Sequence, residues 1–255
     1  MSERPVLALT MGDPAGIGPE ITVRALLAPE VREVARCFAI GDARVLERAL
    51  AICGLTGAVN RIGGPEAATG HAAGIDVLHQ ETADPDALAM GKVQALGGEA
   101  AFTAIKESIA LAMAGRVDGV VTAPINKESL KAAKIPFIGH TEMYAEYTGA
   151  REEMTMFTIS GLKIFFLTRH VSLAQACQQI TRDRVAKGID KSLKALRQLG
   201  YAEPHLAVAA LNPHGGEDGL FGREEMDAIS PAIAAARAQG MHVSGPVPAM
   251  SNAVP

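Results

Sequence analysis

The chain has 255 residues, 48% of them hydrophobic and 20% charged, enough apolar material for a sizeable core in one large domain or two lobes. Its formal net charge is −4, which leaves no basic footprint for nucleic acid. No apolar stretch approaches the roughly 20 residues of a membrane helix, and the opening MSERPVLALTMGD is broken too early for a signal peptide.

Short apolar runs alternate with helical patterns along the chain. Residues 6–11 (VLALTM) read as a buried strand and residues 17–27 as the helix behind it. Residues 38–41 are strand-like, and Asp42 is placed to cap a helix ending near Cys53. Residues 57–86, rich in Gly, Ala, Thr and Pro, form the least regular stretch and read as a surface excursion. Over residues 97–115, Phe102, Ile105, Ile109 and Met113 share one helical face, with Gly115 as the C-terminal stop. A short buried strand at residues 119–123 is stopped by Pro124, and an interruption at residues 126–139 suggests a lobe boundary, giving lobes 1–130 and 131–255. Two adjacent strands, 154–160 and 162–168, turn at Ser160-Gly161. Thr181 caps a helix striped by Val185, Ile189, Leu193 and Leu196, followed by a strand at 205–211 and a helix at 224–239. Alternation at this density predicts an α/β architecture with a largely parallel or mixed sheet. Cys37, Cys53 and Cys177 are far apart, with no CxxC pair, which fits a reducing cytoplasm better than a disulfide framework or cysteine zinc site.

Two loops are candidates for chemistry. TMGDPAGIGPE, residues 10–20, packs three glycines and two prolines between a strand and a helix whose free N–H groups suit an anion. It is neither GxGxxG, since Ile21 stands at the third glycine position, nor a Walker loop; a plain structural turn remains the other reading. TAPINK, residues 122–127, follows a strand at the sheet edge where α/β proteins bind ligands. There Lys127 is either a phosphate or carboxylate holder, a proton carrier, or a solvated lysine that opens a helix.

Among seven histidines, His71, His79, His205 and His242 sit in contexts that suit surface or packing roles. His140 lies in IGHTE beside Thr141 and Glu142, three polar groups at a loop-to-helix junction. His170 closes LKIFFLTRH, and His214 lies in LNPHGGEDG just past a strand. Two strand-end histidines on one sheet edge make a reasonable pair of metal ligands, although a catalytic site usually needs a third protein group. Serine-hydrolase and HExxH signatures are absent.

Taken together and in this order, MGDPAGIGPE, TAPINK, GHTE, RHVSL, LNPHGGEDGLFGREE and GPVPA resemble the 4-hydroxythreonine-4-phosphate dehydrogenase family and its close paralogues, over residues 6–249. The resemblance implies the two-lobed α/β fold of isocitrate and isopropylmalate dehydrogenases. It also implies a cytoplasmic homodimer with a shared interlobe site, and oxidation of a secondary alcohol on a small phosphorylated hydroxy acid. The cofactors it implies are NAD or NADP and a divalent metal (Zn, Mn, Co or Mg). In the founding activity, on the route to pyridoxal phosphate, the β-keto acid then loses CO₂. By position, His140 and Thr141 resemble substrate-binding residues and His170 and His214 two of three metal histidines; Lys127, from its place beyond the strand, is taken as the catalytic residue, and the cofactor-binding residues are not assigned. TAPINK instead of a TGP form, and RH instead of TTH, lean towards paralogues acting on threonate or erythronate 4-phosphate, with a dihydrodiol-carboxylate dehydrogenase as a further possibility.

One departure stands out. The family continues after GPVPA with an aspartate and later a Tyr-His-Asp-Gln-Gly segment carrying the third metal histidine, whereas here Met250 replaces the aspartate and no HDQG occurs. The expectation is a C-terminally incomplete second lobe, weak metal binding and little turnover in this chain. The competing readings are a non-redox phosphate acyltransferase of the same fold, and an inactive remnant or dimer partner.

Overall fold

The computed structural model describes residues 4–70, 74–150 and 154–248. His71 and residues 249–255, including Met250, lie outside the described residues. The chain divides into two compact units, Met1–Glu153 and Met154–Pro255.

The first unit is built on a five-stranded, wholly parallel sheet. Its strands are β1 (Val6–Thr10), β2 (Arg36–Gly41), β3 (Ala58–Ile62), β4 (Gly74–His79) and β5 (Gly119–Thr122), in the spatial order β3-β4-β2-β1-β5. The central strands read as continuous apolar runs because both their faces are covered. On one face, Leu9, Met11, Cys37 and Ala39 pack with Val23 and Leu26 of α1 (Gly18–Leu27) and with Val45, Leu46 and Ala49 of α3 (Ala43–Ile52). On the other, Val6, Ala8, Phe38 and Ile40 pack with Ala104 and Leu111 of α4 (Ala95–Met113). The strand period of two therefore assigns alternate residues to two separate cores. A short helix, α2 (Pro29–Val34), links α1 to β2.

Local signals hold where they rest on capping. Asp42 accepts from the Arg44 N–H at the start of α3, and Gly115 sits just past α4 at φ +66°. Residues 57–86 depart from the sequence reading, since they supply β3 and β4 to the sheet rather than a surface excursion. Gly74 begins β4 because a Cβ there would lie 2.5 Å from the Ala58 carbonyl oxygen, a restriction invisible before the strands are paired. Met113 leaves the buried stripe of Ile105 and Ile109 and is 62% exposed. Nor is β5 a buried strand: it is the sheet's edge, with Val121 48% exposed. The first unit runs past residues 126–139 because α5 (Lys127–Ala132) and α6 (His140–Thr148) pack on α4 through Ile105, Ile109, Leu130 and Met143.

In the second unit, β6 (Met156–Ile159) and β7 (Leu162–Phe165) form an antiparallel hairpin. Ser160 (φ 47°) and Gly161 (φ 86°) turn it, as a two-residue loop with both residues left-handed requires. After α7 (Leu173–Gln178), α8 (Arg182–Gln198) starts at the Thr181 cap and buries the expected stripe of Val185, Ile189, Leu193 and Leu196. It packs on α9 (Ser230–Ala238), and both cover the parallel pair β8 (Leu206–Ala209) and β9 (Val243–Val247). The helix read over residues 224–239 is present through Ala238, with a π-turn at Glu225–Ile229 leading directly into α9.

Gly12 and Gly115 provide a matched test of close packing. Both have positive φ (72° and 66°), but a Cβ on Gly12 would lie 2.2 Å from the Pro124 carbonyl oxygen, while Gly115 faces open space. Gly115→Ala is expected to cost only the backbone strain, about 1 kcal/mol. Gly12→Ala should cost at least about 2 kcal/mol more, read as the difference between the two urea-unfolding free energies.

Candidate active site

In the first unit the two candidate loops meet. Strands on opposite sides of β1 are reached by connections over opposite faces, so the ends of β1 and β5 flank the topological switch point where such sheets bind ligands. The Asp13 N–H donates to the Pro124 carbonyl at 3.0 Å, and the Ala123 N–H to that of Thr10 at 3.1 Å. Asp13 is buried; its Oδ1 accepts from the Ala15 N–H at 2.9 Å, and a Cβ on Gly97 of α4 would come within 2.5 Å of it. The sequence reading passed over Asp13; its only signal was a carboxylate inside a glycine-proline loop. The Thr10 hydroxyl, at the end of β1, is buried without a hydrogen-bond partner.

Asn126 accepts from the Ser129 N–H at 3.0 Å and so caps α5, which begins at Lys127. Lys127 is exposed, with no hydrogen bond or ion pair for its side chain among the described residues. Its amine is thus available to a ligand. His140 and Thr141 open α6 after Gly139. Thr141 is exposed, whereas His140 is half-buried with its Nε2 enclosed and unpartnered. Burial pushes the His140 imidazole below its ordinary value, favouring the neutral ring. One turn on, Tyr144 Oη is also buried, with the Ser108 side chain beside it, and burial pushes that phenol up. Orphaned polar atoms such as His140 Nε2 each cost about 1–3 kcal/mol, and functional sites are where such costs are kept.

In the second unit, His170 and His214 are both exposed and both hold left-handed backbones, at φ 55° and 53°. His214 opens a run in which Gly215, Gly216, Glu217 and Asp218 are also left-handed (φ 70°, 86°, 41° and 51°). Three residues with side chains in that conformation cost about 3–6 kcal/mol together, and strain of this size concentrates at functional sites. The His214 ring lies 6.3 Å from that of Phe221. Neither imidazole has a hydrogen-bond partner among the described residues, so their nitrogens suit a divalent ion in donor type. Among the described residues no group of three or more His, Cys, Asp or Glu is disposed to hold a metal. No described helix is long and apolar enough to cross a membrane.

A parallel sheet whose loops after β1 and β5 meet at the switch point defines an α/β protein with a candidate ligand site at that end of the sheet. The family described as "Pyridoxal phosphate biosynthetic protein PdxA" matches residues 33–252. The chain belongs to this family, and with it to the oxidoreductases. A relative from Symbiobacterium thermophilum, named "Putative D-threonate 4-phosphate dehydrogenase", is 52% identical over 251 residues, covering 98% of this chain and 75% of the relative. The crystal structure of a 4-hydroxythreonine-4-phosphate dehydrogenase from Klebsiella pneumoniae superposes with TM-score 0.88 at 39% identity, covering 96% of this chain and 74% of that one. A terephthalate 1,2-cis-dihydrodiol dehydrogenase from Burkholderia xenovorans, with the same coverage, gives TM-score 0.62 at 29% identity.

The sign of the His140 shift sets a pH dependence. Its folded pKa lies below the ordinary 6.5, so the unfolded state binds more protons below that pH. Stability is therefore full above about 6.5 and falls as pH drops through it. NMR titration should place the His140 midpoint below 6.5. His140→Gln should flatten the loss of urea resistance on going from about pH 7.5 to 5.5.

Proposed function

We propose that the protein oxidises the secondary alcohol of a phosphorylated four-carbon hydroxy acid, D-threonate 4-phosphate in preference to 4-hydroxythreonine 4-phosphate, with NAD or NADP and a divalent metal. The observation that carries the substrate choice is the 52% identity to a relative named for D-threonate 4-phosphate, against 39% to the structure named for 4-hydroxythreonine 4-phosphate. The lower similarity to the dihydrodiol dehydrogenase ranks that substrate class third.

The reaction would take a hydride from the carbinol carbon, for which a bound nicotinamide would supply the acceptor, and a proton from its hydroxyl. The β-keto acid so formed then releases CO₂. His140 and Thr141, at the N-terminus of α6, contact the substrate, where the orphaned His140 Nε2 gains a partner. Lys127 holds an acidic group of the substrate or carries the proton, in keeping with its uncommitted amine beyond β5. His170 and His214 would hold the metal. When bound, a divalent ion supplies Lewis acidity that eases deprotonation of a coordinated hydroxyl. The active species is read as a homodimer. In support, the β6–β7 hairpin carries exposed Phe157, Ile159 and Leu162, and a two-stranded hairpin gains from being covered.

Following NADH and NADPH formation with the three acids tests the reading. Turnover, expected to be low in this chain, should be highest with D-threonate 4-phosphate, disappear on chelation, and fall below detection in His214→Ala. Turnover that survives both chelation and His214→Ala would overturn the metal assignment, and a preference for 4-hydroxythreonine 4-phosphate would overturn the substrate.

A further inference from the structure

The left-handed run that presents His214 is held by a residue eleven positions further on. Glu225 is 3% exposed. Its Oε1 accepts from the backbone N–H groups of Leu211 (2.8 Å) and Asn212 (2.7 Å), and its Oε2 accepts from Asn212 Nδ2 (2.8 Å). Asn212 is the residue from which the run departs: its carbonyl accepts from the Gly215 N–H at 3.2 Å, and its Nδ2 is shared with Glu224 Oε2 at 2.7 Å. The run is closed at its far end by the Phe221 N–H, donating to the Gly216 carbonyl at 3.1 Å. Space between the two segments is fully used, since a Cβ on Gly216 would lie 2.9 Å from Glu225 Oε2 and 3.0 Å from the Gly222 carbonyl oxygen.

Glu225 is itself fixed from behind. It is the first residue of the π-turn, the wide helical turn that recurs at functional sites. That turn ends at Ile229 and runs into α9; Ile229 together with Ala232, Ile233 and Ala236 of α9 packs against α8 and Val243. Burial alone would raise the Glu225 carboxyl, but the Asn212 side chain and the Asn212 and Leu211 N–H groups outweigh it and hold the group ionised, below its ordinary value. The connection is continuous, from the α8–α9 core through the π-turn and a buried carboxylate to Asn212 and then to the strained backbone of His214. Among the described residues, the one other side-chain hydrogen bond of this length made by residues 211–218 is that of Asn212 Nδ2 to Glu224, the neighbour of Glu225.

We infer that Glu225 is a positioning residue for His214: its carboxylate anchors the left-handed turn and thereby fixes where the imidazole is presented. The inference rests on the proposed role of His214 in the active site, but its primary readouts do not depend on turnover. With the full chain carrying ¹⁵N-labelled histidine, Glu225→Ala is expected to displace or broaden the His214 ring signals while leaving those of His205 and His242 in place. Amide exchange at Leu211 and Asn212 should accelerate at least tenfold, with the amides of α8 unchanged. Glu225→Gln, whose carbonyl oxygen still accepts from both N–H groups, should recover most of the protection. In zinc titrations, the dissociation constant read at His214 should rise about 10- to 100-fold in Glu225→Ala. Wild-type His214 signals and wild-type exchange in Glu225→Ala would overturn the inference. If Glu225→Ala fails to fold, Glu225→Asp decides, since its shorter carboxylate cannot keep all three bonds: a folded protein with displaced His214 signals supports the inference, and unchanged signals overturn it. A wild-type His214 ring that ignores zinc, together with displaced signals in Glu225→Ala, would remove the metal from the proposed function while supporting Glu225 as the anchor.

Discussion

The first unit depends on the contact between Gly12 and the carbonyl of Pro124. At 2.2 Å from a hypothetical Cβ, that oxygen admits only glycine, and the adjacent Asp13 N–H donates to it. The contact ties the loop after β1 to the segment after β5, so the two loops at the switch point form one rigid rim. Asp13, Asn126 and Lys127 all take their places from it. The site's order therefore comes from backbone packing, with side chains free to serve a ligand. The buried side chain of Asp13 is held by the Ala15 N–H, and the Lys127 amine has no hydrogen bond or ion pair among the described residues.

The second unit solves the same problem in another way. His214 occupies a conformation that the chain resists, and a buried carboxylate opposes that resistance through three short hydrogen bonds. Strain and anchor are complementary: a turn that relaxed readily would not need Glu225, and Glu225 without those donors would be an uncompensated buried charge. The reaction proposed for the protein would need groups that grip carboxylate, hydroxyl and phosphate at fixed separations. The residues singled out for that purpose, His140, Thr141, His170, His214 and Lys127, are half-buried or exposed at helix starts and loops, on elements whose other faces are packed.

Much of this was legible in the sequence, and the reason differs from element to element. The α/β class, the caps at Asp42 and Thr181, the Ser160-Gly161 hairpin and the apolar stripe of α8 follow from local chemistry: a capping oxygen, a turn-forming pair, a 3.6-residue period. The motif order by itself pointed to the family that the comparisons then showed. The strands β3 and β4 escaped because their pattern is weak. β3 is an edge strand with Asn60 and Arg61 exposed, and β4 opens on a glycine whose reason lies in a neighbouring strand. The exposure of Met113 and Val121 escaped as well, since periodicity assigns a face but not what covers it.

What the sequence determined alone is therefore the set of elements with local causes, the loops that carry chemistry and the identity of the histidines. The tertiary structure decided which of those loops touch, that Gly12 must be glycine, that His140 Nε2 lacks a partner, and that Glu225, in the first turn of its helix, also accepts from the backbone that leads to His214. The physical reason is range. Capping, turn chemistry and amphipathic periodicity act within a few residues, whereas close approach, burial and desolvation arise only when segments far apart in the chain are brought into contact, as Gly12 is with Pro124.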